Sequence, residues 1–75
     1  MHLEGRIRVS PYRFYYLNEH DHIIDAEWAS CAGDAAAMAR AAAALLARRD
    51  CRGIEIWHGK RRVDAVAKRS AREAA

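Results

Sequence analysis

Apolar and polar positions along the chain change period twice, from strand-like to helical and back. Tyr12-Arg13-Phe14-Tyr15-Tyr16-Leu17 is dense in aromatic side chains and reads as a strand. Asn18-Glu19-His20-Asp21 is polar and turn-like. His22-Ile23-Ile24-Asp25-Ala26-Glu27-Trp28 follows as a second strand, so the first two elements predict a hairpin. From Gly33 to about Arg49 the period becomes helical. Met38, Leu45 and Leu46, with Ala35, Ala41 and Ala42 between them, mark the expected buried stripe. Gly53-Ile54-Glu55-Ile56-Trp57-His58 is the third strand, and Arg61-Arg62-Val63-Asp64-Ala65-Val66 is the fourth. Gly59-Lys60 between them fits a two-residue hairpin loop with glycine first.

The turn lengths set the expected registers. A two-residue loop at Glu19-His20 would set Phe14 against Asp25 and Tyr12 against Glu27. A three-residue loop, Glu19-His20-Asp21, sets Tyr16 against Ile24, Phe14 against Ala26 and Tyr12 against Trp28. That choice makes one face apolar and pairs Arg13 with Glu27 on the other. A one-residue slip would turn every side chain over, so the three-residue loop is expected. Its last position is left-handed and normally glycine; Asp21 occupies it, which Asp tolerates better than most residues. In the second hairpin Ile54 should meet Ala65, Ile56 meet Val63 and Trp57 meet Arg62. Glu55 would then meet Asp64, an unfavourable like-charge pair.

The order ββαββ predicts an α+β fold. Its sheet is expected to be four-stranded and antiparallel, in the order 2-1-3-4, with one helix on one face and a right-handed crossover through the helix. Gly33 is the expected N-cap, with Asp34 in the first turn and Arg48-Arg49 in the last, as the helix dipole prefers. The face under the helix should be lined by Tyr12, Phe14, Tyr16, Ile24, Ala26, Ile54, Ile56 and Val63. Residues 1–11 read as an extension, 12–66 as a single domain and 67–75 as a charged tail. At 75 residues there is room for one small domain. Such a chain buries only roughly 60% of the surface it exposes unfolded, so its stability margin is thin.

Composition narrows the classes. Seventeen alanines make up much of the apolar fraction and favour the helix. Charged residues are 31% of the chain, and no apolar run approaches the roughly 20 residues of a spanning helix. The opening Met1-His2-Leu3-Glu4-Gly5-Arg6 has no apolar h-region, so a cytoplasmic location is expected. The net charge of +3 raises a nucleic-acid reading. Eleven of the thirteen basic residues are arginine, though, which together with abundant alanine is what a GC-rich genome writes for any protein. Cys31 and Cys51 flank the helix. A helix of about 15 residues holds its ends about 22 Å apart, beyond the roughly 7 Å a disulfide allows. Both are expected to be reduced and packed as small hydrophobes.

Candidate chemistry is sparse. His20 and His22 form an H-x-H in the first turn, while His58 sits in the second, at the opposite end of the sheet, so no metal site is expected. A nucleophile–base set, a Gly-rich phosphate loop and a paired-carboxylate cleft are not recognisable, so neither an enzyme nor a cofactor is expected. The uncovered face should carry Arg13, Tyr15, Leu17, Ile23, Asp25, Glu27, Glu55, Trp57, Arg62 and Asp64. Four acids against two arginines give it a net charge of −2. Tyr15 and Trp57 on central strands resemble the base-stacking aromatics of RNA-recognition sheets, but that charge would repel a phosphate backbone. Tyr, Trp and Arg suit a protein partner better. The plainer reading is a monomer in which Trp57 lies over Arg62.

The segments Tyr12–Ile23, Cys31-Ala32-Gly33-Asp34-Ala35 and Ile54–Val63 resemble a family of small bacterial proteins with no assigned activity. Its motifs run Y-R-x-Y-x-L-D-x-D-G-H-I, C-A-D-D-A and, after an Ala-rich helix, V-E-V-W-x-G-x-R-x-V. The resemblance covers residues 12–66 and implies the ββαββ fold without adding a site. Asp21 stands where the motif has Gly, and Gly33 where it has an acidic cap. The expected function is a non-enzymatic protein-interaction module using Tyr15, Leu17, Trp57, Arg62 and Arg13, its partner another protein or a second copy of the chain. The alternative is a weak nucleic-acid binder using Arg48, Arg49 and Arg52 at the helix end with Lys68, Arg69 and Arg72 in the tail.

Overall fold

The computed structural model describes residues 8–68. Strand β1 is Ser10–Leu17, β2 Ile23–Cys31, helix α1 Asp34–Ala47, β3 Gly53–His58 and β4 Arg61–Ala67. The strands form one sheet in the order β2-β1-β3-β4, antiparallel at each of its three pairings, as expected. The two strands richest in bulky apolar side chains, β1 and β3, occupy the centre. Residues 1–7 and 69–75, which hold most of the expected extension and tail, lie outside the described residues.

Alternation along β1 and β3 builds the core. Tyr12, Phe14, Tyr16, Ile54 and Ile56 are buried on one face, with Cys31 and Cys51 at its margins. Both cysteines are free. The helix contributes Ala37, Ala41 and Leu45, spaced four apart, flanked by Met38 and Ala44. Leu46, Ala35 and Ala42 were expected in this stripe and are exposed instead, Leu46 by 83%. The stripe is rotated because alanine, at every turn, lets the helix sit close to the sheet. Two successive leucines cannot both point inward, and Leu45 takes the core position. The helix also ends earlier than expected, at Ala47, with Arg48 as its extended C-cap.

The first turn has the expected three-residue loop. The Asn18 N–H donates to the His22 carbonyl at 2.9 Å, and Asp21 is left-handed, φ 62°. The Asn18 side chain accepts from the N–H groups of His20 and His22 and holds the loop from inside. Gly59, φ 64°, supplies the left-handed position of the second turn.

Both expected registers fail one step beyond these turns, for the same reason. Ile24 in β2 and Val63 in β4 are bulged residues without partners. Beyond them Tyr16 pairs with Asp25, Phe14 with Glu27, Arg13 with Trp28 and Tyr12 with Ala29. In the second hairpin Trp57 meets Arg62 as expected, but Ile56 then meets Asp64, Glu55 meets Ala65 and Ile54 meets Val66. The like-charge Glu55–Asp64 pair is thereby avoided. Each bulge is followed by an aspartate whose carboxylate accepts the next N–H, Asp25 from Ala26 and Asp64 from Ala65, both at 2.8 Å.

The slips turn the outer strands over. Ile24 and Ala26, expected under the helix, are exposed. Trp28 moves to the uncovered face, where it is 58% exposed. Ala29 and Cys31 take the places beneath the helix start, where an indole would be far too large for the close alanine packing. Val63 keeps its expected contact with the core despite the bulge.

Candidate functional site

The helix covers one face of the sheet, and the pairings arrange the other in three rows that cross all four strands, with the Pro11–Ser30 pair beyond the first. The first row crosses all four strands as Trp28, Arg13, Trp57 and Arg62, each the cross-strand partner of the next. The second row is Ala26, Tyr15, Glu55 and Ala65, and the third is Ile23, Leu17, Gly53 and Ala67. All five expected partner-binding residues, Arg13, Tyr15, Leu17, Trp57 and Arg62, therefore share this face. Trp28 joins them.

Local contacts pre-shape the surface. The Arg13 guanidinium lies over the Trp28 ring, 4.2 Å from its centroid. Its Nη1 donates to the Tyr15 hydroxyl at 2.6 Å. The Trp57 indole N–H donates to Glu55 Oε1 at 3.1 Å, and Arg62 Nη2 lies 4.0 Å from Glu55 Oε2. The cation–π contacts of the face thus come from Arg13, over Trp28 and, at 5.7 Å, over Tyr15, whereas Trp57 and Arg62 share Glu55. Small residues on the β3–β4 side leave a shallow groove of about 520 Å³, with Gly53, Ala65 and Ala67 along it and Arg52 and Arg62 beside them. Glycine at 53 keeps this approach open, since a Cβ would meet the Val66 carbonyl oxygen at a tight 3.2 Å. Arg52 is fixed by its backbone, which donates to the Leu17 carbonyl and accepts from the Lys68 N–H.

The charge of this face differs in sign from the sequence expectation. Asp25, Glu27 and Asp64 were placed here and instead share the helix side with their partners Tyr16, Phe14 and Ile56. Two arginines, Arg13 and Arg62, now stand against Glu55 alone, a net of +1 rather than −2.

Two of the displaced carboxylates, Asp25 and Glu27, join Asp34 and Asp50 in a belt along the helix margin. Glu27 accepts from the Tyr16 hydroxyl and from Arg40. The Tyr16 bond is the main cause holding the Glu27 carboxyl below its ordinary range. Burial first, and then that same bond, pushes the Tyr16 hydroxyl up to about 12. Arg48 bridges Asp25 and Asp50 at 3.0 and 3.1 Å and lowers both carboxyls. Arg61 makes a bidentate contact with Asp34 at the helix start, lowering its carboxyl, and the Tyr12 hydroxyl donates to the same carboxylate.

Of the alternative, nucleic-acid set, the described members Arg48, Arg52 and Lys68 are neighbours, joined through Lys68, which donates to the carbonyls of the other two. Arg48 is engaged by Asp25 and Asp50 and stacks on Tyr16. Arg49 is exposed beyond the helix end, and Arg52 borders the groove. Arg69 and Arg72 lie outside the described residues. The His20 and His22 rings are 6.1 Å apart in the first turn, while His58 stacks on Tyr12 at the other end of the sheet. Among the described residues, His, Cys, Asp and Glu side chains do not gather in threes that could hold a metal ion, and no helix is long and apolar enough to cross a membrane.

Comparison with protein-family models, curated proteins and solved structures gives no match to this chain. The residues that matter most and were misplaced by sequence are Trp28, Asp25, Glu27 and Asp64. A signal for them exists: Ile24-Asp25-Ala26 and Val63-Asp64-Ala65 are the same apolar-Asp-Ala triad, standing near the start of the second strand of each hairpin.

Proposed function

We propose that this chain is a non-enzymatic interaction module whose working surface is the uncovered sheet face. The row Trp28-Arg13-Trp57-Arg62 carries the reading. Tryptophan, tyrosine and arginine are the residues in which interface centres are enriched, and acids are depleted there. This face holds two tryptophans, a tyrosine and two arginines against one glutamate. Arg13 and Glu55 also hold the aromatic rings in place, which reduces the ordering cost of binding.

A second reading has one observation in its favour. With three carboxylates removed, the face is net positive, and Trp28, Trp57 and Tyr15 offer platforms on which bases of a single strand could stack.

Both tryptophans of the chain lie on this face, so their emission reports its occupancy directly. Docking of any partner should shift that emission to the blue. Trp57→Ala should weaken binding at least about tenfold, the cost of losing an interface anchor, while circular dichroism stays unchanged. A partner bound with unaltered tryptophan emission would place the working surface elsewhere. If the partner is an oligonucleotide, affinity should fall steeply with salt.

A further inference from the structure

We propose that the partner of this face is a second copy of the chain, packed face to face about a two-fold axis that runs along the strands between β1 and β3. This rests on the reading of the face as the interaction surface, and it goes further by naming the occupant and the register.

Such an axis keeps each row at its own height and reverses its order. A row that alternates Trp-Arg-Trp-Arg becomes Arg-Trp-Arg-Trp, so every indole meets a guanidinium. Trp28 lies against the partner's Arg62, and Arg13 against the partner's Trp57, each contact occurring twice in an isologous pair. In the second row Tyr15 meets the partner's Glu55, a hydroxyl donor against a carboxylate, flanked by Ala26 against the partner's Ala65. In the third row Leu17 meets the partner's Gly53, at the groove, and Ile23 meets the partner's Ala67. Guanidinium meets indole in the first row, donor meets acceptor at the centre of the second and large meets small in the third, with no like charges opposed.

The other two-fold axis in the plane of the interface runs across the strands through the second row. It would set Glu55 against the partner's Glu55 and press Arg13 onto the partner's Leu17. Burying a guanidinium on aliphatic surface and opposing two carboxylates both cost free energy. The alternation therefore selects one axis. The patch is modest: four strands at about 4.8 Å and six residues at about 3.4 Å give roughly 400 Å² in projection per copy. With side-chain relief added, the total approaches the lower end of specific interfaces, about 1,200 Å², so a dimer in exchange with monomer is expected.

The test uses the full chain. Sedimentation or light scattering from micromolar to near-millimolar concentration should show a reversible dimer, with tryptophan emission moving to the blue as it forms. Treating the double variant Ala26→Cys/Ala65→Cys with a short bis-maleimide, which reaches across the about 10 Å between facing sheets, should give a covalent dimer on a denaturing gel. Within one chain these positions are three strand spacings apart, about 14 Å, beyond that reach. Each single variant should stay uncrosslinked, and a mixture of the two singles should give the bridged pair, so a double variant that failed to fold would not remove the test. The wild-type chain, with Cys31 and Cys51 buried, is the control. A monomer at every concentration overturns the proposal, as does self-crosslinking of Ala26→Cys alone. A monomer whose tryptophan emission shifts on adding a single-stranded oligonucleotide overturns the dimer but keeps the face. A dimer with unaltered emission overturns both.

Discussion

Tyr16 is the residue at which burial, polarity and electrostatics meet. Its ring is in the core, yet its hydroxyl reaches the margin and donates to Glu27. The hydroxyl's pKa is pushed up to about 12, first by burial and then by that bond. A raised pKa on a neutral acid means that the folded state favours the protonated form. The contribution is therefore fully present below about 10, the unfolded value, and is lost as pH rises towards 12. Tyr16→Phe keeps the ring and removes the hydroxyl. It should cost about 1 kcal/mol, the usual net worth of one hydrogen bond. It should also flatten the alkaline end of the stability curve and let the Glu27 carboxyl rise towards its ordinary range, since the Tyr16 bond is the largest cause of its depression. Urea melts across pH, with an NMR titration of Glu27, measure all three. An unchanged Glu27 titration would mean that Arg40 alone sets its charge.

At the scale of elements, strand identity, helix position and sheet order were legible, because periods of two and of helical type are hard to confuse over these lengths. The first loop was legible too: only a three-residue turn brings apolar positions of β1 and β2 to the same side at the start, and Asp21 accepts the left-handed position. What pattern counting could not see was a single extra residue. A bulge leaves composition and alternation of its own strand intact and changes only which side of it faces the core. Ile24 and Val63 look like core residues in sequence, and that is why Trp28 was misplaced and the charge of the face misjudged. The helix face was misread for a different reason. Alanine carries little signal, so Leu45 and Leu46 seemed equivalent, and only the turn-by-turn spacing of Ala37, Ala41 and Leu45 separates them. Leu45→Ala should cost about 2–4 kcal/mol, as a buried leucine truncation does. Leu46→Ala should stay within about 0.5 kcal/mol, as an exposed position does. Paired thermal melts decide it, and equal losses would mean that Leu46 is covered in solution.

Across the whole molecule, the alanine-rich helix packs on the sheet through Ala37, Ala41 and Leu45, and polar contacts line its margin. Asp34 ties the helix start to Arg61 beyond the second turn, Arg40 ties its middle to Glu27 of β2, and Arg48 ties its end to Asp25 and Asp50. Each pair is largely exposed, so each is worth little singly and is screened by salt. Together they share one pH dependence. The carboxyls of Asp25, Glu27, Asp34 and Asp50 are all held below their ordinary range, by Arg48, Tyr16, Arg61 and Arg48 respectively. A carboxyl depressed in the folded state stabilises above its unfolded pKa, about 4, and loses that contribution as pH falls through the folded value. Stability should therefore be level near neutrality and decline below about pH 4, with the slope reporting how many more protons the unfolded chain binds. Arg48→Met replaces the guanidinium over Tyr16 with an unbranched apolar chain and frees Asp25 and Asp50 together, so it should make the acid decline shallower while lowering stability only slightly at pH 7. Urea unfolding followed by the helical signal from neutral to acid pH measures that slope in both proteins. If the Arg48→Met slope matches the wild type, Asp25 and Asp50 are not linked to folding, and the helix end is held by packing of Leu45 instead.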